Sequence, residues 1–97
     1  MIFNFEQKLF KECKKLIEQN DLESFKTYLI ENFENEENLD LSFVFQKLYL
    51  HACLKFKNSP IIDYLENEVY NYLPEIERIA IRQVFPYGRY LRSKHKN

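Results

Sequence analysis

Apolar residues recur along this chain at helical rather than strand spacing, and one stretch carries more of them than any other. In Phe43–Phe56 (FVFQKLYLHACLKF) ten of fourteen positions are apolar or aromatic, and neither Gly nor Pro interrupts them. At helical pitch only Lys47, His51 and Lys55 line up as a polar stripe. A helix apolar on almost every side is covered by neighbours on several sides, and this one is shorter than the roughly twenty residues a bilayer requires. The pattern therefore predicts a buried central helix over about 43–56.

The flanking segments read as amphipathic helices that wrap it. Phe5, Leu9, Cys13, Leu16 and Ile17 give one apolar face over about 5–19, with Asn4 and Gln7 as an approximate capping box. Asn20-Asp21 breaks the pattern: Asn tolerates the left-handed cap position, and Asp21 caps the next helix. Leu22, Phe25, Leu29 and Phe33 define that second helix, which ends in the acidic, aperiodic run Glu34–Asn38, expected as an exposed loop. Asp40 or Ser42 caps the central helix. Ser59-Pro60 has the form of an N-cap and a first helical residue, opening a fourth helix with Ile61, Leu65, Val69 and Tyr72 or Leu73 inward. Pro74 ends that helix and opens a fifth, with Ile76, Ile79, Ala80 and Val84 as its expected apolar face. Phe85-Pro86-Tyr87-Gly88 reads as a turn, leaving a short last helix from about Arg89. The fold class is all-α: five to six short helices in successive antiparallel hairpins around the central one, within a single domain over 1–97 that carries a basic, fraying tail at 89–97.

The stretch His51–Glu66 (HACLKFKNSPIIDYLE) resembles the helix pair of an ankyrin-like repeat, and the pair Tyr-Leu recurs at Tyr28-Leu29, Tyr64-Leu65 and Tyr90-Leu91. The resemblance implies stacked antiparallel helix pairs.

Composition narrows the chemistry. One Gly and three Pro among 97 residues argue against a many-turned β-fold, and 45% hydrophobic content supplies a core without disulfide staples. Two cysteines, Cys13 and Cys53, both on apolar faces, together with an early apolar run interrupted by Glu6 and Lys8, suit a leaderless protein of the reducing cytoplasm. His51 and Cys53 point to different sides of a helix, and the chain lacks Cys-x-x-Cys and His-Glu-x-x-His, so no metal or other cofactor is expected. The lone Gly88 excludes the glycine-rich phosphate loops. The serines fall at caps or in the tail, and the acids crowd a polar loop rather than a buried site, so an enzyme is not expected.

Charge changes the picture most. Residues 1–77 hold fifteen acids and eight bases, whereas residues 78–97 hold six bases and no acid. Arg78, Arg82, Arg89 and Arg92, interleaved with Tyr87 and Tyr90, form one candidate binding surface, and Glu34, Glu36 and Glu37 form a second. Seven Tyr and nine Phe exceed what a core of this size hides, and Tyr and Arg are residues of protein–protein hot spots. The sequence thus reads as a non-catalytic protein–protein interaction module acting by shape and charge. Its size suits a stand-alone inhibitor, such as an immunity-type protein or a blocker of a host factor. The competing reading is nucleic-acid binding through 78–96, with bases stacked on the tyrosines and phosphates on the arginines. No membrane partner is expected, and the opposite charges of the two ends also suit a homodimer.

Overall fold

The computed structural model describes residues 2–33 and 40–95, with the backbone alone for residues 2–6. Among the described residues there are six helices and no strand: α1 (Ile2–Glu18), α2 (Leu22–Phe33), α3 (Leu41–Lys55), α4 (residues 60–72), α5 (Glu75–Ile81) and α6 (Val84–Ser93). Helix α4 is continuous, but its middle turn, Leu65–Val69, is π-helical. No helix among the described residues is long and apolar enough to cross a membrane.

Most boundaries have local chemical causes. Asn20 has φ 55° and closes α1 with two bonds: its own N–H reaches Ile17 O at 2.9 Å, and the N–H of Asp21 reaches Leu16 O at 3.3 Å. This is the Schellman arrangement that a left-handed residue permits. Asp21 then caps α2, accepting from Ser24 N at 3.1 Å. Asp40 caps α3 through Phe43 N, and Ser59 caps α4 through Ile61 N, each at 3.1 Å. The hydroxyl of the buried Ser59 also donates to Asn20 Oδ1 at 2.6 Å, tying the α1–α2 corner to the α3–α4 corner. At the start of the chain the expected cap is displaced: α1 begins at Ile2, so Asn4 lies inside the helix.

Pair contacts fix the packing directions. Phe10 meets Phe43 edge to face at 5.9 Å and Glu18 reaches His51 at 2.9 Å, so α1 and α3 run parallel. Glu77 of α5 accepts from Ser42 N, Gly88 of α6 lies against Tyr49, and His95 donates to Cys53 O, so α5 and α6 also run along α3 in its own direction. Helices α2 and α4 return antiparallel on the other side and touch where Phe25 meets Tyr64. The result is two layers: α1, α3 and α5–α6 side by side in one, α2 and α4 in the other.

Helix α3 is the centre of this arrangement. Val44, Phe45, Leu48, Tyr49, Ala52 and Cys53 are buried. Burial of each large apolar side chain here contributes about 1.5–3 kcal/mol before chain entropy. The helix starts two residues earlier than its pattern suggests, and Phe43 and Leu54 remain open to solvent, so its exposed side is wider than the polar stripe. Lys47 covers the Phe10 and Phe43 rings at 4.9 and 5.3 Å, and His51 pairs with Glu18 of α1.

The C-terminal third departs from expectation. Phe85-Pro86-Tyr87-Gly88 is helix, not turn. Pro86 sits in the first turn of α6, where a missing N–H costs nothing. It cannot donate to the carbonyl of Arg82, and the helical path accordingly breaks at Arg82-Gln83, both still right-handed helical in backbone conformation. Phase is kept across that break: Ile81, Val84 and Gly88 are buried, with Leu91 and His95 half-buried behind them. The inward residue of α5 is therefore Ile81, while Ile76, Ile79 and Ala80 face out. At the end of α4, Leu73 is buried and Tyr72 is 87% exposed.

Candidate protein-binding surface

The basic segment divides into residues that hold the fold and residues that face solvent. Arg78 donates to Asn71 O at 3.3 Å and to Leu73 O at 2.9 Å, closing the end of α4, where helix carbonyls lack partners. Arg92 donates through Nε to Lys57 O at 2.6 Å and through Nη2 to Asn58 Oδ1 at 3.2 Å, with Nη1 3.6 Å from Glu66. Both guanidinium groups thus act as staples between helix ends. Arg82 and Arg89 are exposed, and Tyr70 keeps the Arg82 guanidinium above its ordinary range by accepting from it. Glu34, Glu36 and Glu37 lie outside the described residues.

Tyr87 and Tyr90 are each 53% exposed and nearly parallel, 6.4 Å between centroids, with Lys94 4.8 Å over the Tyr90 ring. They continue a row of exposed positions that begins on α5 with Ile76 and Ile79, at 76% and 56% exposure. At helical pitch Ile79 and Tyr90 stand opposite the buried Gly88, Ile76 and Tyr87 lie to one side of them, and Arg82 and Arg89 to the other. The row joins isoleucines that the sequence assigns to the core with tyrosines it assigns to a partner. Only the packing phase of α5–α6 brings them together.

Beneath α6 lies a closed polar network. The Tyr49 hydroxyl donates to Glu66, Glu66 faces Arg92, and the wider π turn at 65–69 keeps both Leu65 and Glu66 on the inner side of α4. Burial, then the bond to Glu66, raises the Tyr49 phenol well above its usual range. Burial likewise pushes the Cys53 thiol up to about 11 and the Cys13 thiol up to about 12, so neither is a ready thiolate at neutral pH. His95 is held on Cys53 O at 2.9 Å. Among the described residues no three His, Cys, Asp or Glu side chains converge as metal ligands would.

Two concavities complete the surface. A cleft of about 430 Å³ between α1 and α2 is edged by Glu12, Glu23 and Glu31. A larger one of about 1060 Å³ lies between α2 and α4, with Phe45 and Leu48 of α3 as its floor and Ile30, Phe33 and Tyr72 at its rim. Phe33 and Leu41 are both among the residues that line it.

Compared with family models, curated proteins and solved structures, the chain matches none.

Proposed function

We propose that this protein is a non-catalytic binding module that takes another protein on the outer side of α5–α6. The observation that carries the reading is the row Ile76, Ile79, Tyr87 and Tyr90, each more than half exposed on one side of two consecutive helices. Single exposed apolar residues need no explanation, but an aligned set is characteristic of interaction sites. Tyrosines flanked by arginine add the residue types that carry binding energy when desolvated. The non-catalytic part of the reading is supported by the side chains that would serve chemistry: both thiols are buried and protonated, and both histidines are held by internal partners.

Nucleic acid is the weaker reading. Of the four arginines it needs, Arg78 is bonded to carbonyls at the end of α4 and Arg92 to the Lys57 carbonyl of the α3–α4 loop, and phosphates give Ile76 and Ile79 nothing apolar to cover.

Affinity capture from a native lysate tests the proposal, using wild type and Ile79→Asp, with and without nuclease. The expected result is a protein retained after nuclease and at about 0.5 M salt, where exposed charge pairs are largely screened, and lost with Ile79→Asp. Capture that is abolished by nuclease and falls steeply with salt would establish nucleic acid instead. An unchanged set of captured proteins with Ile79→Asp would remove this face from the binding site.

A further inference from the structure

Resting on that reading, we infer that the partner contributes an amphipathic α-helix with an acidic flank, which packs alongside α5–α6 as the next helix of its layer.

Helix α3 accepts a parallel neighbour on each side, α1 through Phe43, Lys47 and His51, and α5–α6 through Phe45, Tyr49 and Cys53. The layer grows by adding one helix beside the last. α5–α6 receives α3 on the face centred on Gly88, and its opposite face is where a further helix would lie. No described residue covers that face. The position opposite Gly88 is held by Ile79 and Tyr90, each more than half exposed, rather than by polar side chains.

Shape and charge then select the occupant. The exposed row runs from Ile76 to Lys94 with the same spacing on both sides of the Arg82-Gln83 break, a length of about 27 Å at the rise of an α-helix. The exposed Gln83 lies in phase between the Ile76–Ile79 and Tyr87–Tyr90 ends; a long, narrow strip that is apolar at both ends with helical spacing is complementary to one largely apolar stripe of another helix. Arg82 and Arg89 edge the strip and Lys94 stands at one end; the exposed Glu75 stands at the other, close enough to Arg82 to help raise its guanidinium, and beyond it no acid occurs in residues 78–97. A helix with Glu or Asp along its flank meets opposite charge there, whereas one with Lys or Arg meets its own sign. The same charge argument disfavours a two-fold pairing of this face with itself.

The test uses the full chain and four labelled probes, read by fluorescence anisotropy. Two are helical peptides of about 21 residues with a Leu/Ile seam at heptad spacing, one flanked by Glu and one by Lys. The others are phosphatidylcholine–phosphatidylserine vesicles and a single-stranded oligonucleotide. The expected result is binding of the Glu-flanked peptide at least about tenfold tighter than the Lys-flanked one, a preference that Arg82→Glu with Arg89→Glu reverses. Ile79→Asp should abolish binding of both peptides with an unchanged circular-dichroism melt. Equal affinity for the two peptides, binding of neither, or preference for vesicles or oligonucleotide would overturn the inference. If neither peptide binds while Ile79-dependent capture of a protein persists, the helical, acidic partner is refuted and the protein-binding reading stands. If that capture is absent as well, both fall.

Discussion

Replacing Gly88 with Ala should destabilise this protein, although the same change in an ordinary helix stabilises it. Gly88 has no positive φ and sits mid-helix, where Ala is worth about 1 kcal/mol more than Gly. Its reason lies across the fold: a Cβ at this position would fall 2.9 Å from Cζ and 3.0 Å from the hydroxyl of Tyr49, and closer still to Cε2. The ring cannot yield. It is fully buried, stacked on Phe45 at 5.9 Å, edge to face with Phe85 at 5.2 Å, and held at its hydroxyl by Glu66. The helix must therefore move instead, and movement stretches the bonds from Arg92 to Lys57 O and from His95 to Cys53 O. Overpacking of this kind costs about 1–3 kcal/mol. Set against the propensity gain, with two stretched bonds added, the net expectation is a loss of about 1–2 kcal/mol, or a fall in Tm of roughly 5–15 °C for a domain of this size. Urea denaturation monitored at 222 nm measures it. In a Tyr49→Leu background, where the ring is gone, Gly88→Ala should turn neutral or stabilising, so the double variant should be more stable than the two single effects summed. A gain of stability from Gly88→Ala in the wild-type background would refute the close approach and with it the docking of α6.

The same packing sets three further outcomes. Leu48→Asp and Ala52→Asp each place a charge in the buried seam of α3 and should abolish the cooperative thermal transition, whereas Lys55→Ala, on its exposed side, should change stability by less than about 0.5 kcal/mol; equal melting temperatures for the three would refute the central position of α3. Arg92→Ala should cost about 1–3 kcal/mol, because it strips a charged donor from Lys57 O and leaves Glu66 without its cation, while Arg89→Ala should leave the denaturation midpoint unchanged; matching midpoints would remove the distinction between staple and surface arginines. Alkaline pH should destabilise the fold. The thiols stand at about 12 for Cys13 and about 11 for Cys53 against an ordinary 9.0, so the unfolded chain ionises first. The stability they contribute is complete below pH 9 and is lost as pH rises through 11 to 12. Urea midpoints from about pH 8 to 10.5 should fall, and fall less steeply in Cys13→Ala/Cys53→Ala; a flat profile in wild type would contradict the burial.

Elements with local causes were legible from residue order alone. Asn20, Asp21, Asp40 and Ser59-Pro60 fix helix ends through their own side-chain and backbone chemistry, and the density of apolar residues in 43–56 leaves that segment nowhere to go but the centre. Legibility stopped where a residue's reason sits far away in the chain. Pro86 and Gly88 spell a turn to any local rule, but one occupies the proline-tolerant first turn of a helix and the other makes room for the ring of Tyr49. Ile76 and Ile79 obey core spacing, yet α5 docks through Ile81 and the staple of Arg78, and turns them outward. Four arginines look equivalent in sequence. Tertiary structure alone separates the two that reach carbonyls at the end of α4 and in the α3–α4 loop from the two left on the rim. Local free energies choose helices and their ends; only the packing of one helix against another decides which of their faces water still reaches, and the proposed binding surface is defined by that choice.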